Sequence, residues 1–155
     1  MSIQEKCSNL SIRPVESGDL NQLVHLIAEL AACHGDAAVA TVDTLKRDLF
    51  GWSRCLHGVV ADEDRQLVGY ALYFPVCNVQ RAERGLDLTH LYVVSRARGR
   101  GIGSRLIDAV AAEARSRACA FVAIGTAAEN RIAQNFYAKR FGAGRLPGPR
   151  FRVAV

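Results

Sequence analysis

Hydrophobic and polar positions along this chain follow two periods, near 2 and near 3.6, and each switch between them marks an element. Residues 10–15 alternate as a short first strand. Ser17 or Asp19 can cap a helix in which Leu20, Leu23, Val24, Ile27, Leu30 and Ala31 share one apolar face, with Gly35 ending it. Thr41 opens a second helix over 42–50, stopped by Gly51. A strand at 55–61, the polar turn 62–65 and a strand at 66–74 read as a hairpin, weakening at Pro75. A strand at 86–94 then leads into an arginine- and glycine-rich loop and an amphipathic helix over 102–117. A buried strand at 118–125, a helix at 129–140 ended near Gly142, and a closing strand at 151–155 complete the pattern. The order β-α-α-β-β-β-α-β-α-β predicts an α/β chain: a mixed sheet with helices packed on its faces.

Composition narrows the class. A length of 155 residues suits a single domain, 1–155, with one sizeable core. With 50% hydrophobic and 23% charged residues the chain carries no signature of disorder. A formal net charge of +5 is compatible with an anionic ligand and too small to imply nucleic acid. The five cysteines are odd in number and include no C-x-x-C pair, and no apolar run follows the first residues, which points to free thiols in a cytoplasmic setting. The longest apolar stretches, such as 67–76, fall short of the roughly 20 residues of a membrane helix, so no membrane partner is expected.

The chemistry concentrates in residues 88–104, a β-branched strand running through a loop into a helix. Gly99, Gly101 and Gly103 have no Cβ, so backbone N–H groups there can converge on a closely approaching anion. The helix start adds roughly half a positive charge, and Arg98 and Arg100 add cations. A pyrophosphate fits such a cradle. The dinucleotide fingerprint G-x-G-x-x-G fails because Ser104 stands at its third glycine, and the G-K-[ST] of a P-loop is absent. Arg98-x-x-Gly101-x-Gly103 after a Leu-Tyr-Val strand instead resembles the R/Q-x-x-G-x-G/A signature of the GNAT superfamily of N-acetyltransferases. A second stretch, Asn130-x-x-Ala133-x-x-Phe136-Tyr137-x-Lys139, resembles that superfamily's second motif, a strand and a helix downstream. Val68-Gly69-Tyr70-Ala71 is similar to its third strand and Ile12-Arg13-Pro14 to its opening.

The resemblance implies a GNAT-like fold: a mixed, mostly antiparallel sheet with splayed central strands and helices on both faces. It implies a bulge in the fourth strand, and acetyl-CoA lying in the gap between the fourth and fifth strands like an extra strand. By position, Leu91, Tyr92 and Val93 would meet the acetyl-pantetheine end. Arg98, Gly99, Arg100, Gly101, Ile102, Gly103 and Ser104 would meet the pyrophosphate, and Asn130 and Ala133 would line the other side. No metal is implied. Relatives of this kind often form homodimers, and the strand ending at Val155 could pair across such an interface.

Acetyl transfer to an amine needs a free amine, a stabilised oxyanion and a protonated leaving thiolate. A lysine-like amine of pKa about 10.4 is unprotonated in only roughly one molecule in 2,500 at pH 7. Holding the reactants side by side can contribute roughly 7–11 kcal/mol, and one backbone donor such as the Val93 N–H roughly 3–4 kcal/mol. Tyr137 is the candidate general acid, because a phenol of pKa about 10 can protonate a thiolate of pKa about 8.5 without being ionised itself. The base is less well marked. Many relatives carry a glutamate where Thr89 stands, strict alternation would aim neighbouring His90 at the opposite face, and His34 at the end of the first helix has the right pKa class. Removal of the proton through ordered water is the default reading.

The pattern is similar to the diamine (spermidine/spermine, thialysine) acetyltransferase-like group. His34 and Thr89 stand where those enzymes place acidic side chains, while Asp36, Asp43, Asp48 and Asp87 are alternative sources of acidity. The expected partner is therefore a small-molecule amine. Two other readings compete: a non-catalytic acetyl-CoA-binding module, and nucleic-acid binding through Arg96, Arg98, Arg100 and Arg105, which lacks an aromatic stacking platform.

Overall fold

The computed structural model of the chain describes residues 9–126, 128 and 130–141. The chain divides into two compact units, Met1–Ile124 and Gly125–Val155. The first holds a five-stranded sheet in the order β1-β2-β3-β4-β5: Leu10–Pro14, His57–Glu63, Gln66–Asn78, Glu83–Val93 and Phe121–Ile124. Each neighbouring pair is antiparallel except β4 and β5, which run parallel. Helices α1 (Leu20–Cys33), α2 (Val42–Phe50) and α3 (Ile102–Ser116) belong to the same unit, and α4 (Arg131–Phe141) to the second. The closing strand expected at 151–155, with Val155, and the helix stop at Gly142 lie outside the described residues.

Local chemistry explains most boundaries. Thr41 Oγ1 accepts the Thr44 N–H and Thr44 Oγ1 accepts the Thr41 N–H, so α2 closes its own start. Gly51 ends it because a Cβ there would strike the Arg47 carbonyl. Three expectations shift. The turn expected at 62–65 tightens to Asp64 and Arg65, at φ 52° and 68°; two left-handed residues match the twist of a hairpin, and Asp62 Oδ1 accepts the Arg65 N–H at 2.8 Å. Strand β3 runs on through Pro75, which pairs with Leu86. Its partner β2 begins at His57, opposite Tyr73, so from residue 74 onward proline sits on a strand laddered by β4 alone. Strand β5 starts late because the end of α3 uses the preceding backbone: the Cys119 N–H reaches the Ala114 carbonyl at 2.8 Å, and only from Ala120, whose N–H reaches the Arg84 carbonyl of β4 at 2.7 Å, does the chain turn to the sheet.

Two layers cover the sheet. Leu23, Leu26 and Ile27 of α1 and Leu45 and Leu49 of α2 pack with Val60, Tyr70, Leu72 and Tyr92 on one face. Gly69, one residue from Tyr70, points the other way, where a Cβ would meet Leu106 of α3 at 3.3 Å. Ile102, Leu106, Ile107, Val110 and Ala114 form the buried stripe of that helix. Each such leucine or isoleucine contributes about 1.5–3 kcal/mol on burial, which fixes α3 against the strands that carry the site. At the opposite edge Arg13 bridges Asp19 and Asp62, both at 2.7 Å, tying β1 to β2 and to the entry of α1.

Candidate active site

The site is built at the end of β4. The register between β3 and β4 steps from Tyr73↔Leu88 to Leu72↔His90, leaving Thr89 as the extra residue of a bulge. The parallel ladder with β5 covers Gly85↔Phe121 to Leu88↔Ile124 and stops there, while β4 continues through residues 89–93. Bulge and departure of β5 therefore coincide. The Val94 N–H donates to the Val68 carbonyl at 3.0 Å, which fixes the alternation of the ladder: Tyr92 pairs with Tyr70 through main-chain bonds. The N–H groups of Leu91 and Val93 consequently face away from β3, toward the side that β5 has left.

The loop after β4 continues this edge. Ala97 is buried as an anchor, and Arg98 folds back, its Nε donating to the Val93 carbonyl at 2.9 Å and its guanidinium lying 5.7 Å from the centre of the Tyr92 ring. Gly99 and Gly101 adopt φ of 76° and 74°, the left-handed region that side chains with a Cβ rarely enter. A Cβ at either would meet no atom within 4 Å, so the outer face of the loop is open. Gly101 is also the N-cap of α3 and supplies no side-chain cap, so the first amides of the helix, at Ile102, Gly103 and Ser104, point outward as orphan donors. The Ile102 side chain is buried beneath, so only its main chain serves the loop. Gly103 lies against β4, its Cβ direction 4.0 Å from Val93.

Not all the arginines behave as free cations. Arg100 is held by both oxygens of Glu63, and Arg96 reaches Gln66 at 3.3 Å. Arg105 turns toward the Leu10 carbonyl at 3.5 Å. The fixed positive charge of the loop is therefore smaller than the sequence suggests, and the amides carry more of it.

His90 follows the bulge directly. The extra residue at Thr89 resets the strand, and His90 comes to the face of Tyr70 and Tyr92. Its Nδ1 lies 3.4 Å from the hydroxyl of Tyr70, which is fully buried. Burial, and then the field of His34, lower the His90 pKa, so the ring is neutral at neutral pH. His34 itself is exposed at the C-cap of α1, its amide bonded to the Ala31 carbonyl. Burial raises the Tyr70 phenol well above its ordinary value. Tyr92, whose hydroxyl donates to Glu29 Oε2 at 2.8 Å, closes the other side. Tyr70 and Glu29 carry no motif that marks them; only the shared face of a period-two strand could have suggested Tyr70.

In the second unit, Asn130 caps α4, its Oδ1 accepting the Ala133 N–H at 3.1 Å, so both residues have a local structural task. Tyr137 is half-buried on α4, edge-on to Phe136 at 5.5 Å between ring centres, and burial raises its phenol pKa. It is therefore protonated at neutral pH and equipped to donate.

The model of the Acetyltransferase (GNAT) family matches residues 23–143. A thialysine N-epsilon-acetyltransferase of Bos taurus is 30% identical over 87% of this chain and 84% of its own length. A spermidine/spermine N(1)-acetyltransferase-like protein 1 of Homo sapiens is 28% identical over 88% of this chain but only 21% of its own. Among solved structures, an aminoglycoside N-acetyltransferase in complex with CoA superposes with a TM-score of 0.79 at 20% identity, over 99% of this chain and 100% of that one. At that identity the likeness speaks for the fold.

Proposed function

Since the chain belongs to the acetyltransferase (GNAT) family and is an acetyl-CoA-dependent N-acetyltransferase, we propose that it acetylates a primary amine of a small molecule, with both reactants bound together. One observation carries this reading: the β4–β5 ladder ends at the bulge, and the strand amides freed there run directly into the uncapped, glycine-lined start of α3. That edge fits acetyl-CoA. Leu91 and Val93 would hold the pantetheine arm by main-chain pairing, with Tyr92 fixing the strand between them. Residues 98–104 would hold the pyrophosphate, chiefly through amides. Asn130 and Ala133 extend the same expectation to the second unit, and the family match runs across the boundary between the units, which supports one N-acetyltransferase domain.

Acetyl-CoA supplies an acyl group activated as a thioester. The chain's own residues supply position and proton transfer. His90 is the base: with Nδ1–H donated to the Tyr70 oxygen, Nε2 keeps its lone pair free for the proton of the incoming ammonium. His34 acts on that base through its field rather than as the base itself, because it is exposed and its influence registers at His90. Tyr137 protonates the leaving sulfur. The relatives named for thialysine and spermidine/spermine support an amine acceptor of polyamine, diamine or amino-acid-like kind.

Thermal shift with acetyl-CoA, followed by thiol release against a panel of such amines, tests the reading. Ligand at 100 times its dissociation constant should add about 2.7 kcal/mol of stability. Stabilisation without turnover on any small amine would replace this function by a sensor or a protein-amine acetyltransferase, and no stabilisation would remove the donor site. Tyr137→Phe should slow turnover about 100-fold with acetyl-CoA affinity intact; an unchanged rate would take Tyr137 out of the mechanism.

A further inference from the structure

A separate cavity of about 470 Å³ opens beside the far end of α3, and none of its lining residues belongs to β4 or to the loop at 98–104. Its size lies within the roughly 300–1,000 Å³ of small-molecule sites. Leu49 and Phe50, from the end of α2, contribute apolar wall. The polar end is cationic. Arg117 sets its terminal nitrogens 3.2 and 3.3 Å from the two ring nitrogens of His57, and Arg54 lines the cavity as well. Glu113 is the one carboxylate among the described lining residues, and it bonds Arg117 Nε at 2.7 Å. Two guanidinium groups thus face one acid beside an imidazole, and an apolar pocket adjoins them.

We propose that this cavity is a second ligand site, taking a small organic carboxylate with an apolar body. The carboxylate lies between Arg54 and Arg117, where planar guanidinium groups offer paired donors, and the body rests against Leu49 and Phe50. A bare inorganic anion leaves the apolar wall unused, and an amine meets two like charges. The state of His57 agrees with this occupant. Burial first, then Arg117 and Arg54, hold its pKa below the ordinary value, with Glu113 opposing. Tyr73, stacked on the ring at 5.8 Å between centres, adds no charge at neutral pH because burial raises its phenol. A bound anion would offset the two arginines and let the imidazole take up a proton, so affinity should rise as pH falls toward the titration of His57.

The molecule carries its own reporter. Trp52 is the only tryptophan of the chain; it is fully exposed and stands in sequence between two lining residues, Phe50 and Arg54. Titrating the 155-residue chain with benzoate, followed by tryptophan emission and by thermal shift, should give a saturable change in the millimolar range or below. Benzylamine, of the same body and opposite charge, should give none. Arg54→Gln and Arg117→Gln should each weaken benzoate about tenfold or more, and Arg54→Gln should leave acetyl transfer unchanged. The proposal is overturned if neither signal responds to benzoate, if benzylamine binds equally well, or if both variants bind benzoate like the parent chain. Because binding is read without acetyl-CoA, the result stands whether or not an amine is acetylated.

Discussion

Two regions of the first unit treat their polar backbone and charges in opposite ways. Around β1 and α2 the chain consumes its own groups: Arg13 is shared between Asp19 and Asp62, and Thr41 and Thr44 cap α2 reciprocally. Around the end of β4 it leaves them free among the described residues: the strand outlasts its partner β5, and α3 opens at a glycine with no side-chain cap. Both regions face the same problem of orphan amides and unpaired edges. The first solves it internally and gains stability. The second leaves donors for a ligand, and its own stability has to come from the buried stripe Ile102, Leu106 and Val110 beneath. Substitutions in the first region should therefore alter stability without touching ligand affinity, and substitutions in the second should do the reverse.

The largest expected effect is at His90. His90→Gln should lower kcat/KM by about 100-fold or more and abolish the acid limb of the pH–rate profile. In the parent chain, activity should rise with pH through a value below the ordinary histidine pKa, because burial and His34 hold the base neutral. His34→Ala should move that limb upward; an unmoved limb would separate the two histidines. Gly101→Val should weaken acetyl-CoA by about 100-fold, or about 2.7 kcal/mol, since a β-branched residue at φ 74° cannot keep the loop's shape. Calorimetry that finds normal affinity in this variant would erase the contrast between the regions.

In the closed region the effects are smaller and of the other kind. Asp19→Asn should cost about 2 kcal/mol in denaturant titration, the scale of a charge-assisted bond lost at a buried site. Burial alone would raise the Asp19 pKa, but the Arg13 hydrogen bond and the Glu16 amide outweigh it and hold it below the usual carboxylate value. Its contribution is therefore present above the ordinary aspartate pKa and lost as pH falls through the lowered one, so the variant should show a flatter acid-unfolding profile. Thr41→Ala should cost about 1 kcal/mol, with a lowered melting temperature and unchanged acetyl-CoA affinity. A changed affinity would mean that the two regions are coupled.

Much of the second region was legible in residues 88–104, because anion binding by backbone demands glycine and glycine is visible in any sequence. Arg98 was legible as a cation, but not that it folds back on Tyr92 and Val93; Arg100 was legible too, but not its pairing with Glu63. The bulge puts Leu88 and His90 out of step, and it leaves no mark in the pattern of apolar positions because it adds one residue to one strand only. Pro75 misled for a related reason: whether proline is tolerated depends on how many neighbours a strand has, and β2 is already gone at that point.

The order of elements, the capped start of α2 and the glycines of the anion loop follow from the sequence, since each depends on residues within one turn or one strand of each other. The extent of β5 and the meeting of Tyr70 with His90 were decided only by the tertiary structure, as were the convergence of Arg54, Arg117 and His57 on one cavity. Those depend on register and on which strand ends first, and both are set by the packing of the whole sheet against α1 and α3 rather than by any local preference.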